Sequence, residues 1–159
     1  MAAQQAAEAS GRDVPLMISM TITDMAGRNL SGHTVEAFWA AIRHAKPLTI
    51  GLNCSFGADL LRPHLAALAK QADALIMAYP NAGLPNDLGE YDEMPEQTAE
   101  LITAWLEDGL VNIVGGCCGT TPGHIAAIAR AVADRAPRDV PEAAVATRLA
   151  GLEPFVMAA

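Results

Sequence analysis

Four times along this chain a short apolar, β-branched run is followed by a segment with apolar residues at helical spacing, and this alternation limits the fold more than any other feature. The runs at 14–23 (VPLMISMTIT), 48–53 (LTIGLN), 74–79 (ALIMAY) and 111–114 (VNIV) read as strands. Helices are expected at 34–44, with Val35, Phe38, Trp39 and Ile42 on one face and Ser31 or Thr34 as cap; at 59–70, with Leu60, Leu61, Leu65 and Leu68; at 95–106, opened by Pro95; and at 121–133, opened by Pro122. A further short helix is expected at 2–9. Strands apolar on both faces that alternate with helices form a parallel sheet. Right-handed crossovers then put every strand's carboxyl end on one side, where (β/α) barrels build their sites. The expected fold class is α/β, with parallel (β/α) units forming half of a TIM-type (β/α)8 barrel, because a whole barrel takes about 250 residues and this chain has 159. Residues 1–135 are expected to form the half-barrel, and the Pro- and Ala-rich residues 136–159 a linker or wrapping tail. A dinucleotide fold has no support, since no Gly-x-Gly-x-x-Gly follows the first strand.

Charge and composition narrow the function. A net charge of -8 with scattered Lys and Arg argues against nucleic acid or an anionic membrane surface as partner. No apolar run is long enough for a membrane span. The opening MAAQQAAEAS has no basic stretch leading into an apolar core, so a secretion signal is not expected and the expected location is cytoplasmic.

The three cysteines carry the chemistry. Cys54 falls at the end of the second strand, and Cys117 and Cys118 follow the fourth within Gly115-Gly116-Cys117-Cys118-Gly119. Neighbouring cysteines seldom bridge each other, and a reducing compartment disfavours disulfides. Two readings remain: buried small apolar residues, or thiolates on a metal. Three protein ligands with an open fourth position is the pattern of a catalytic zinc. Three thiolates leave the centre at a formal charge of about -1, a poor maker of hydroxide but able to hold a soft substrate thiol as a nucleophilic thiolate. Asp24, Asn53 and Asn81 also fall after strands and are candidate substrate-binding residues, with loop or packing roles as the alternative. The acids Glu90, Asp92, Glu93 and Glu96 read as a solvated loop and helix N-terminus, and Trp39 and Trp105 as packing residues.

The stretches TITDMAGRNLSGHTVEAF (21–38), GLNCSFGADLLRPHL (51–65), YPNAGLPNDLGEYD (79–92) and NIVGGCCGTTPGHIAAIARAV (112–132) resemble the homocysteine-binding domain of cobalamin-dependent methionine synthases, within the homocysteine S-methyltransferase family. GLEP at 151–154 resembles the same branch. The resemblance implies that this chain corresponds to the C-terminal half of the (β/α)8 barrel. It implies Zn2+ on Cys54, Cys117 and Cys118, homocysteine sulfur as fourth ligand, and Asn81 close to the metal or substrate. It also implies methylcobalamin as methyl donor on a cobalamin-binding domain, with methionine as product. A protein partner supplying the first half, or self-association, would then cover the open sheet. The alternative is a non-catalytic zinc-binding remnant or interaction module of a split or truncated methyltransferase. Two positions depart from the family pattern: Met20, expected near the barrel mouth, and His33, in a loop.

Overall fold

The computed structural model describes residues 2–142 and 145–158. Helix α1 (Ala2–Ser10) precedes four strand–helix steps: β1 (Met17–Met20), α2 (Val35–Ile42), β2 (Thr49–Asn53), α3 (Ala58–Ala69), β3 (Leu75–Tyr79), α4 (Pro95–Glu107), β4 (Ile113–Val114) and α5 (Pro122–Val132). A hairpin of β5 (Ala146–Ala150) and β6 (Pro154–Ala158) follows. Strands β1 to β4 form one parallel sheet in chain order, in register from Met17 beside Thr49, through Thr49 beside Leu75, to Met77 beside Ile113. This is the expected partial (β/α) barrel. No helix among the described residues is long and apolar enough to cross a membrane.

The helices begin where the sequence places their caps. Thr34 Oγ1 accepts from Ala37 N at 3.2 Å, so Thr34, not Ser31, caps α2. Pro95 and Pro122 open α4 and α5. At the start of α5 His124 Nδ1 accepts from Thr121 N at 3.2 Å, while its Nε2 donates to Glu93 O at 2.8 Å. The carbonyl can only accept, so the proton sits on Nε2, and the ring ties α5 to the β3–α4 loop.

Side chains alternate across the sheet. One face turns Met20, Ile50, Leu52, Ile76 and Ala78 into a core with Trp39 of α2, Leu61 and Leu65 of α3, and Ile102 and Trp105 of α4. Trp105 Nε1 donates to Ala58 O at 3.1 Å, giving its one polar atom a partner inside that core. The other face carries Met17, Ser19, Thr21, Asn53 and Tyr79, all exposed or half-buried. Gly51 sits on this face because a Cβ there would lie 2.0 Å from Met77 O. Met77 folds across it, and its sulfur accepts from Thr49 Oγ1 at 3.2 Å.

Two features differ from the sequence expectations. The first and last strands are shorter than their apolar runs, β1 because it pairs only with β2 and the chain turns into its loop after Met20. Met20 does not crowd the mouth; it points into the helix-covered core and is 3% exposed. Residues 136–142 and 145–158, expected as a linker or wrapping tail, pack back onto the strand–helix units. Arg138 is buried and donates to the carbonyls of Ala69, Ala72 and Ala74 at 2.8, 2.6 and 3.1 Å, around the α3–β3 turn. Its own carbonyl accepts from Asn112 Nδ2 at 2.7 Å. The hairpin lies along α2, and its turn closes on the β1–α2 loop. There Arg28 pairs with Glu153 and donates to Leu152 O, and Thr34 N donates to Leu152 O at 3.1 Å. TITDMAGRNLSG and GLEP are therefore in contact.

Candidate metal centre

Parallel pairing brings the cysteines together from distant parts of the chain. Cys54 N donates to Tyr79 O at 2.8 Å, extending the β2–β3 ladder by one bond, and the backbone then breaks sharply. Cys54 and Ser55 take φ of 60° and 66°, a left-handed conformation that non-glycine residues seldom adopt, still less in succession. The turn is held by Ser55 Oγ donating to Ile22 O and by Phe56 N donating to Cys54 O at 2.8 Å. After β4, Cys117 N donates to Pro80 O at 2.8 Å, and Ala82 N donates to Cys118 O at 2.9 Å, which pins the second cysteine turn to the loop after β3. Gly119 has a φ of 77°, and a Cβ there would lie 2.3 Å from Tyr91 Cβ, so only glycine lets Tyr91 approach.

The three Sγ atoms lie within 4.8 Å of one another, with 3.6 Å between Cys54 and Cys118 and 3.9 Å between Cys117 and Cys118. All three thiols are free. Tetrahedral zinc with Zn–S bonds of about 2.3 Å sets its sulfurs about 3.8 Å apart. Both short separations match that spacing, and the donor set is soft, so the residues fit zinc.

The thiols differ in acidity. Burial works to raise the Cys54 pKa, but hydrogen bonds from the Ser55 amide and from Cys118, Cys117 and Asn81 outweigh it and bring the group below its ordinary value. Burial, followed by the neighbouring Cys54 and Cys118, pushes Cys117 up to about 11. A dication among the sulfurs would favour thiolate on all of them.

The other candidate residues divide. Asn81 is buried, and its Oδ1 accepts from Cys118 N at 3.1 Å, which orients the cysteine turn. Asn53 points to the open face beside β1, accepting from Ser19 Oγ at 2.6 Å and donating to Thr21 Oγ1 at 3.1 Å. Asp24 closes its own loop, its carboxylate accepting from Arg28 N at 3.0 Å. In the acidic loop, Asp92 accepts from Asn86 Nδ2 at 2.8 Å and Glu93 from Thr98 Oγ1 at 2.5 Å.

Tyr91 was not among the candidates. Desolvation and the neighbouring Cys118 thiol hold its phenol above the ordinary range. Its signals in the sequence were Gly119, which makes room for it, and its place in the stretch 79–92.

The comparisons with known proteins bear on this arrangement. The profile of the family "S-methyl_trans: Homocysteine S-methyltransferase" matches residues 1–132. Among solved structures the chain is similar to the homocysteine methyltransferase MmuM from Escherichia coli in its oxidized form. The TM-score is 0.58 at 22% identity, over 81% of this chain and 40% of MmuM. The chain thus spans two fifths of that relative's length, and the likeness shows a shared fold.

These findings correct the cobalamin expectations. Methylcobalamin as donor, and a cobalamin-binding domain as partner, do not stand: the family shown is that of homocysteine S-methyltransferases at large, which does not specify cobalamin. The physical reason is that a three-thiol centre specifies the nucleophile and says nothing of the electrophile, so motif likeness carried the donor over with no residue here to hold it. With a profile match over most of its length and four (β/α) units that converge on three thiols, the chain belongs to the homocysteine S-methyltransferase family.

Proposed function

We propose that this chain forms the thiol-activating part of a homocysteine S-methyltransferase, with Cys54, Cys117 and Cys118 as ligands of a zinc ion and homocysteine as substrate. The observation that carries the reading is the cluster of three Sγ atoms within 4.8 Å at the carboxyl ends of β2 and β4. A zinc ion there would take the substrate sulfur as its fourth ligand and keep it as a thiolate at neutral pH. The remaining work belongs to the chain. Asn81 holds the Cys118 backbone, the left-handed turn at Cys54 aims its sulfur, and Tyr91 of the β3–α4 loop packs on Gly119 beside Cys118. Three free thiols suit a reducing, cytoplasmic setting.

A second reading is a zinc-binding module without turnover of its own. The open sheet face and the coverage of two fifths of MmuM favour it, because the strands that would wall in the substrate's amino and carboxylate groups must come from other sequence, in the same polypeptide or in a partner. Cobalt substitution separates metal binding from turnover. The Co2+ form should show sulfur-to-metal charge-transfer absorption that strengthens when homocysteine is added, and Cys117→Ala should bind the metal at least tenfold more weakly. Absent metal binding, or a spectrum indifferent to homocysteine, overturns the main reading. A homocysteine response without methyl transfer, even with the remaining strands supplied, selects the second.

A further inference from the structure

At the opposite end of the sheet from the cysteines, a cavity of about 570 Å³ opens between the end of α2, the turn before β3 and the hairpin strand β5. Its walls include Trp39, Arg43, Lys46, Pro47, Asp73 and Arg148. Three of the chain's ten Lys and Arg residues meet here, against one carboxylate, in a protein of net charge -8. The carboxylate is already engaged: Arg43 Nε and Nη2 donate to the two Asp73 oxygens at 2.8 and 2.7 Å, a bidentate pair. That pair fixes the guanidinium plane at the cavity wall. Lys46 is exposed and makes no ion pair with any described residue. It closes the short turn that follows α2, in a left-handed conformation at φ 47°.

A volume of this size suits a small metabolite. The fixed Arg43 guanidinium, a second arginine and a lysine ammonium around one concavity suit phosphate oxygens, and an excess of positive lining in an acidic protein draws anions to that spot. We propose that this cavity is a binding site for a small phosphate-bearing anion, held by Lys46, Arg43 and Arg148. The site is separate from the thiol chemistry, and it is formed only when the hairpin is docked, since Arg148 lies on β5.

The test is calorimetric titration of the full chain with inorganic pyrophosphate at low salt. Saturable one-to-one binding is expected. Lys46→Gln should weaken it about tenfold, the worth of one charge-assisted contact, and Arg148→Gln should weaken it similarly, with the far-ultraviolet dichroism unchanged. Lys70→Gln, at the cap just after α3 and outside the cavity, should bind as the parent does. A nucleoside monophosphate that displaces pyrophosphate assigns the site to an organic phosphate; failure to displace assigns it to inorganic phosphate. No saturable binding, or equal loss in Lys70→Gln, overturns the proposal.

Discussion

Met20 and Met17 lie on the same strand three residues apart, yet Met20 is 3% exposed and Met17 is 53% exposed. They point to opposite faces of one sheet. The face that holds Met20 is closed by four helices and packs Trp105, Leu61 and Leu65 away from water. The face that holds Met17 carries Ser19, Thr21, Asn53 and Tyr79, and on it Met77 lies over Gly51. The cysteines stand at the rim between the two. The contrast teaches that stability and chemistry draw on different faces: the helices fix the strands, while the open face and its rim present groups to a ligand.

Substitutions can break that contrast or sharpen it. Trp105→Ala, at the centre of the covered face, should cost about 3–5 kcal/mol in urea unfolding; a loss under ~1 kcal/mol would mean the covered face is not the main source of stability. Arg138→Ala should cost about 2–4 kcal/mol, because three buried carbonyls lose a charged donor. It should also free the last strands to limited proteolysis. His64 gives a smaller, pH-dependent effect. Burial holds its pKa below the ordinary value, against the raising influence of Glu36 and Asp24. The unfolded chain therefore binds the proton more readily, so stability is full above pH of about 6.5 and falls as pH drops below it. His64→Gln should flatten that slope in thermal melts across the same range; an unaltered slope would assign it elsewhere. Met17→Thr should change stability by less than about 0.5 kcal/mol. A larger loss would show the open face to be buried in solution, by another chain or a second copy.

Much of this was legible in the sequence, for physical reasons. Pro95, Pro122 and Thr34 mark helix starts by local chemistry alone, and the parallel order follows from strands apolar on both faces. The cysteines could be placed at one end because strand ends in a parallel sheet share a side. What depended on tertiary context was hidden. Arginine is seldom buried, so nothing in the sequence marked Arg138 as a clamp. The hairpin turn at Gly151 to Glu153 lacks the Asn-Gly or Asp-Gly pair that announces such turns. Tyr91 packs on Gly119, beside the cysteines, only through the path of a long loop.

The sequential strand order bears on how the chain folds. Each strand of the parallel sheet pairs only with those that flank it in the sequence, so every pairing closes a loop of roughly 30 residues. Closure entropy changes only logarithmically with loop length, so no pairing is much slower to nucleate than another. Assembly can then start at any strand pair and proceed by adding one strand–helix unit at a time. The three cysteines, carried by turns two strands apart, meet only after two such additions.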